Sequence, residues 1–233
     1  MLFLTYIKKP CTMGIITEKK RSQADLKHDE RLLNRIQTLI DVVYGLILFQ
    51  LFLLLPKPTK ELIAADKLSE LFQENGAMML TVVIGIVWVI IYWGQSNTQF
   101  GYLKRTNKTL SSLAIIQLFL LMLYLYFIKL DNETGGDVLA LFSQSICLAL
   151  AGFMGVFSWF YATRNNMLFD DLESDEQQSM YYKFMPEPIA ALITVPLAFV
   201  DVFWYTVGWL SVIPMGFYFK RRLKKQSNSS ESF

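Results

Sequence analysis

Residues 35–56 read RIQTLIDVVYGLILFQLFLLLP, and this stretch decides the fold of the chain. Residues 36–55 are almost wholly apolar, and Pro56 ends the run. An α-helix rises about 1.5 Å per residue, so a run of about 20 residues extends about 30 Å, the thickness of the bilayer core. The stretch therefore predicts a transmembrane helix.

Four more apolar runs follow, at about 78–93, 110–130, 138–162 and 189–219. Over the whole chain 53% of residues are hydrophobic and only 18% are charged, against about 25% charged residues in soluble domains. The charges collect in short stretches between the apolar runs, a pattern typical of a multi-span membrane protein. The sequence predicts an all-α integral membrane protein.

The last apolar run, 189–219, is long for one span and short for two, and the basic residues decide between these alternatives. The N-terminal segment is rich in Lys and Arg, so we place it in the cytoplasm, and counting spans puts the basic stretch 104–108 inside as well. The basic cluster 220–225 is also inside only if the number of spans is even. Two short helices that meet near Asp201 satisfy this condition.

The predicted architecture is six transmembrane helices with both termini in the cytoplasm. Its parts are a polar N-terminal segment at 1–30, a six-helix transmembrane domain at 31–222 and a cytoplasmic tail at 223–233. Residues 57–75 have helical spacing and predict a short surface helix, while 131–137 predict a tight polar turn on the outer side. The acidic linker 170–176 is expected to be solvated.

Motifs for catalysis, metal binding and nucleic-acid binding are missing from the sequence. His28 is the only histidine and lies in the polar N-terminal segment, and Cys11 and Cys147 lack paired spacing. The chain has no HExxH, GxSxG or P-loop motif, and no segment forms a basic soluble face. We therefore expect a protein that is not an enzyme, with no catalytic residues, no metal, no cofactor and no nucleic-acid partner.

The segment 206–210 reads TVGWL, which is close to the TVGYG filter of ordinary potassium channels. Such a filter needs a pore helix before it and a full span after it, and only nine residues separate Leu210 from the basic tail. Gly208 is better explained as a small residue that lets helices pack closely.

The first span divides into two faces when its residues are placed at 100° intervals. With Leu46 at the origin, a stripe within about 60° contains Leu39, Val42, Phe49, Gln50 and Leu53, with Arg35 at its cytoplasmic end. Asp41 lies about 140° away and is expected to face the bundle, where a carboxylate needs a hydrogen-bond donor. Trp93 and Asn97 lie at about the right depth to supply one.

These residues resemble the signature of a known family, the transmembrane protein 175 potassium channels. The spacing Arg35-xxx-Leu39-Ile40-Asp41 resembles the R-xxx-F-S-D motif that opens the first helix of these channels. The stretch 93–100 is similar to their tryptophan-led motif at the end of the second helix. Gln117, followed by an apolar run, resembles an asparagine in their third helix.

The resemblance covers about residues 31–222 and includes the span count, the loop sizes and the cytoplasmic N-terminus. This chain departs from the pattern at two places. The Phe-Ser of the signature is Leu39-Ile40, and Ser96-Asn97 lies where the family has a histidine after the tryptophan.

The resemblance implies a potassium-permeable cation channel without a carbonyl filter. The first helix of each six-helix unit lines the pore in this family, rings of apolar side chains form the constriction, and prokaryotic members with one unit assemble as tetramers. The constriction isoleucine falls at Leu46, a later apolar ring at Leu53, and a position where many members carry threonine at Phe49. Arg35, Asp41, Trp93, Asn97 and Gln117 would be structural, and K⁺ would be the permeant ion.

Two alternatives stay open at this point. The stripe Leu46, Phe49 and Leu53 also fits a lipid-facing or core surface. The chain also fits a non-conducting membrane scaffold or effector subunit, since Phe49 and the missing Phe-Ser depart from the channel pattern.

Overall fold

The computed structural model describes residues 23–58, 60, 63 and 68–230. Most of the predicted polar segment 1–30, most of the predicted surface helix before residue 68 and the end of the predicted tail therefore lie outside the described residues. The described part of the chain is built from α-helices, with one isolated antiparallel bridge between Leu103 and Leu168.

Eight α-helices are described. They are α1 (Gln23–Leu53), α2 (Leu68–Gly101), α3 (Lys108–Thr134), α4 (Val138–Arg164), α5 (Ser174–Phe184), α6 (Pro186–Leu197), α7 (Val202–Gly208) and α8 (Val212–Ser230), with a 3₁₀ turn at Trp209–Ser211 between α7 and α8. The four predicted spans before residue 165 are confirmed, but α2 starts ten residues before the predicted run at 78 and ends eight residues after 93. The helix continues through the polar residues 94–101, although Gly, Ser, Asn and Thr are weak helix formers.

Five helical segments in the described residues are long and apolar enough to cross a membrane: Lys27–Leu53, Met78–Gly101, Lys108–Thr134, Val138–Arg164 and Val202–Arg222. The predicted break near Asp201 is present, because α6 ends at Leu197 and the Asp201 carboxylate caps α7 by accepting from Phe203 N at 2.7 Å. Helix α6 has 12 residues and is about 18 Å long, too short to cross alone. The all-α membrane fold is confirmed, with a sixth helix shorter than a full span.

Helices α3 and α4 form a tight hairpin at the centre of the bundle. Gly135 ends α3 in the left-handed conformation, with φ 71°, and the Asp137 carboxylate caps α4 by accepting from Leu139 N and Ala140 N. Helix α6 packs on the far side of α4, whereas α1 packs on α2 and α3. Helix α1 therefore lies at the edge of the bundle.

Two glycines let helices approach closely within the second half of the bundle. A Cβ at Gly152 would lie 2.6 Å from the hydroxyl of Tyr92 and 2.8 Å from Cβ of Pro188, so α2 and α6 meet α4 there. A Cβ at Gly208 would lie 2.5 Å from Cδ1 of Leu197. The close-packing explanation of Gly208 is confirmed, and residues 206–210 form helical turns instead of a filter loop.

The loop after α2 is joined to the linker after α4. Lys104 N donates to Met167 O at 3.0 Å and Phe169 N donates to Tyr102 O at 3.1 Å. Lys104 also forms an ion pair with Asp170, and Tyr102 donates to Glu176 Oε1 at 2.7 Å. The acidic residues of 170–176 are exposed, as expected, but two of them also hold these loops together.

Candidate functional site

Helix α1 has one face packed in the bundle and one face exposed. The packed face consists of side chains at most 9% exposed: Leu33, Ile36, Ile40, Tyr44, Ile47 and Leu51. Their spacing of three and four residues puts them on one side of the helix. The centre of this face lies about 120° from Leu46, so the side chains of α1 that bind it to α2 and α3 are distinct from the predicted stripe.

Each side chain of the predicted stripe is exposed in the single chain. Leu46 and Phe49 are each 57% exposed, Val42 is 55% exposed, Leu39 is 44% exposed and Leu53 is 41% exposed. Gln50 and Arg35 are exposed on the same side of the helix. The core interpretation of Leu46, Phe49 and Leu53 is therefore wrong, and the alternatives that remain are a lipid-facing surface and a surface shared with further copies of the chain.

Polar side chains distinguish the exposed face of α1 from those of the next three helices. The exposed residues at 80–92 of α2, 113–122 of α3 and 140–160 of α4 are all apolar, as a lipid-facing surface requires. Between 39 and 53, the exposed residues of α1 include Asp41 and Gln50. An amide facing hydrocarbon without a polar partner costs several kcal/mol, so the side of α1 that carries Gln50 favours cover by protein or contact with water.

The predicted contact between Asp41 and the second span is present. Trp93 Nε1 donates to Asp41 Oδ1 at 3.0 Å. With the Asn97 amide oriented so that its nitrogen faces the carboxylate, that nitrogen lies 3.3 Å from Asp41 Oδ1 and its oxygen 3.1 Å from Trp93 Nε1. The two side chains are four residues apart on α2, hence on one face of the helix, and together they fix α1 against α2.

The expectation that Asp41 faces into the bundle is wrong for a single chain. Asp41 is exposed, and Trp93 is 39% exposed, so their hydrogen bond lies at the rim of the α1–α2 contact. The helical wheel gives only the angle between Asp41 and the stripe, and it does not give the direction of the bundle. The buried face centres near Ile40 and Leu51, and Asp41 lies about 100° from Ile40 around the helix, at the edge of this face.

A second polar contact joins the same two helices and was missed by the sequence analysis. Tyr44 and Ser96 are both buried, and their hydroxyl oxygens lie 3.2 Å apart. Successive spans run in opposite directions, so Tyr44 lies one turn further from the start of α1 than Asp41, whereas Ser96 lies nearer the end of α2 than Trp93. The long Tyr44 side chain reaches across this offset, which the spacing of polar residues in the sequence does not reveal.

The other two structural candidates, Gln117 and Arg35, lie apart from these contacts between α1 and α2. Gln117 is buried in α3, and a Cβ at Gly155 of α4 would lie 3.1 Å from its Nε2. Gln117 therefore belongs to the α3–α4 hairpin. Arg35 lies about two turns from Asp41 along α1 and is exposed, consistent with the prediction that the two side chains do not pair within their own helix.

A comparison with known proteins matches the part of the chain that contains these candidate residues. Residues 35–124 match the family model described as "Endosomal/lysosomal potassium channel TMEM175". This segment begins at Arg35 and includes Asp41, Trp93, Asn97 and Gln117. Comparison with curated proteins gives no match.

Two solved structures share the fold. The crystal structure of a lysosomal potassium-selective channel TMEM175 homolog from Chamaesiphon minutus has a TM-score of 0.64 and 16% identity, covering 83% of this chain and 98% of that one. The crystal structure of a variant of the potassium channel MtTMEM175, in complex with a Nanobody-MBP fusion protein, has a TM-score of 0.57 and 18% identity, covering 82% and 93%.

The fold and the site define the class: an α-helical integral membrane protein whose first helix lies at the edge of the bundle with one face exposed. Residues 35–124 match the TMEM175 family model, and the chain shares its fold with the two TMEM175 structures. The sequence signature noted at Arg35 and Asp41 lies inside the matched segment.

Proposed function

We propose that this protein is a potassium-permeable cation channel that conducts through a pore lined by α1 of each subunit in a homotetramer. The observation that carries the proposal is the exposed face of α1, where Leu39, Val42, Leu46, Phe49 and Leu53 lie in one stripe. Gln50, on the flank of this stripe, is also exposed and favours the interior of an assembly over lipid for this face. The match of residues 35–124 to the TMEM175 family model supports the same function.

In this proposal Leu46 forms the main constriction. Four leucine side chains around a narrow axis exclude water, and such a hydrophobic constriction limits ion passage by dewetting. Leu53 adds a second apolar ring two turns further along the helix. Gln50 lies between the two rings and offers amide oxygens as transient ligands to K⁺, the permeant ion. Arg35 lies at the cytoplasmic mouth.

The proposed assembly also explains why the hydrogen bond between Asp41 and Trp93 is exposed in the single chain. Asp41 and Trp93 bond to each other at the rim of the α1–α2 contact, where a neighbouring subunit would remove them from lipid. We place both termini in the cytoplasm, by the distribution of basic residues, and the protein in a prokaryotic cell membrane.

The test is potassium flux from liposomes that contain the purified protein. Leu46→Asn replaces the proposed constriction with a polar side chain that holds water, and we expect the flux to rise above that of the wild type. The matched control is Leu150→Asn, because Leu150 is 48% exposed on α4 and carries the same change at a lipid-facing position. Equal flux in wild type and Leu46→Asn, with folded protein in both, contradicts Leu46 as the main constriction.

A second candidate function follows from Phe49. Four phenylalanines, each 57% exposed on the same face as Leu46, would narrow the axis enough to stop conduction. The protein would then be a non-conducting scaffold or effector subunit with the same fold. Phe49→Thr separates the two candidates. A gain of flux identifies a pore closed by Phe49, whereas no flux in either Phe49→Thr or Leu46→Asn favours the scaffold.

A further inference from the structure

An apolar groove with a basic rim lies on the other side of the bundle from α1. It is formed by the end of α5, the start of α6 and the first turns of α8, and encloses about 570 Å³, within the range of about 300–1,000 Å³ typical of small-molecule sites. Val212, Ile213, Gly216 and Phe217 form its apolar wall, and its polar lining residues are Tyr182, Lys183, Glu187 and Lys220.

The two lysines lie at the depth of a lipid headgroup. Lys220 lies near the end of the span Val202–Arg222, and Lys183 lies in the last turn of α5, just before α6 begins. Both side chains are exposed. Lysines at the end of an apolar helix bury their methylene stems and hold their ammonium groups at the membrane surface.

The carboxylate of Glu187 lies on the protein side of the groove. Its Oε2 is buried and its side chain is hydrogen-bonded to Gln95 of α2, so it is not a site for a ligand. The groove therefore combines two cations at its rim with an apolar wall below.

We propose that this groove binds an anionic phospholipid such as phosphatidylglycerol. The phosphate lies between the ammonium groups of Lys183 and Lys220, and one acyl chain lies along Val212, Gly216 and Phe217. Basic pockets between transmembrane helices bind anionic headgroups in this way. The site is independent of the proposed conduction path, because it is formed by α5, α6 and α8.

The test is a titration of the full-length, detergent-solubilised protein with fluorescently labelled phosphatidylglycerol and, separately, labelled phosphatidylcholine. A basic residue at the membrane surface is worth about fivefold in affinity for an anionic lipid. Lys183→Gln with Lys220→Gln is therefore expected to weaken phosphatidylglycerol binding about 25-fold. The control variant, Lys108→Gln with Arg164→Gln, removes the same charge from exposed positions outside the groove and is expected to bind like the wild type.

A second variant tests the shape of the groove without changing its charge. A Cβ at Gly216 meets no atom within 4 Å, so Gly216→Leu fills the apolar wall, and helical propensity favours the change. We expect it to weaken binding of phosphatidylglycerol at least tenfold while the protein stays folded. Equal affinity for both lipids overturns the proposal. Binding lost in the lysine variant but kept in Gly216→Leu also overturns it, since attraction to surface charge alone then explains the result.

Discussion

Replacing Trp93 with phenylalanine removes the indole N–H that bonds to Asp41 and keeps most of the ring. A hydrogen bond to a charged group is worth about 1.5–3 kcal/mol when buried. Asp41 is exposed and Trp93 is 39% exposed, so we reduce this value to about 1 kcal/mol for solvent screening. One kcal/mol lowers the unfolding midpoint of a chain of this length by about 2–4 °C.

The contribution of the hydrogen bond is isolated by a double-mutant cycle of Trp93→Phe and Asp41→Ala, measured by thermal unfolding of the purified protein in detergent. We expect a coupling of about 1 kcal/mol, and we expect Asp41→Ala also to reduce assembly, measured by size-exclusion chromatography. Trp204→Phe is the matched control, because Trp204 is 55% exposed in α7. Zero coupling, or an equal loss in Trp93→Phe and the control, refutes the role assigned to this contact.

Two further predictions concern the packing of the helices and the loops. Gly152→Ala puts a Cβ 2.6 Å from the Tyr92 hydroxyl and 2.8 Å from Pro188. We expect it to lower the free energy of unfolding by about 1–3 kcal/mol, measured by thermal unfolding. The control is Gly76→Ala, where no atom lies within 4 Å of the new Cβ, and we expect it to raise the free energy of unfolding by about 0.5–1 kcal/mol. Lys104→Gln breaks the ion pair with Asp170, and we expect a loss of at most about 1 kcal/mol that disappears at 1 M salt. A loss that persists at 1 M salt contradicts the ion-pair explanation.

Most of the fold could be predicted from the sequence because the membrane imposes a length on each apolar run. Residues 36–55 and 110–130 differ from the observed spans mainly at their ends, where polar side chains continue the helix. The break at Asp201 was also predictable, since the basic N-terminal segment and the basic cluster 220–225 on the same side of the membrane required an even number of spans. The start of α6 at Pro186 is a sequence signal as well, whereas the close contact of Pro188 with Gly152 is a tertiary feature.

The sequence predicts which residues of α1 share one side of the helix, but it does not predict whether that side is packed in the bundle or exposed. A helical wheel separates Leu46 from Asp41 by angle, yet it does not say which angle points toward the bundle. The structure supplies that direction through Tyr44 and Ile40, which are buried. Two contacts join residues that are distant in sequence: the hydrogen bond of Tyr44 with Ser96 and the ion pair of Lys104 with Asp170. The periodicity of hydrophobic residues does not predict such contacts.

The arrangement of polar groups gives α1 its place in the proposed channel. The exposed side chains at 80–92, 113–122 and 140–160 are apolar, so their contact with lipid has no desolvation cost. Asp41 and Gln50 are polar, and exposing them to lipid would cost free energy. Asp41 is partly satisfied by Trp93 and would be covered by a neighbouring subunit. Gln50, on the side of Leu46, would face the axis, where water and K⁺ satisfy its amide, so the two residues distinguish a subunit contact from a pore lining on one helix.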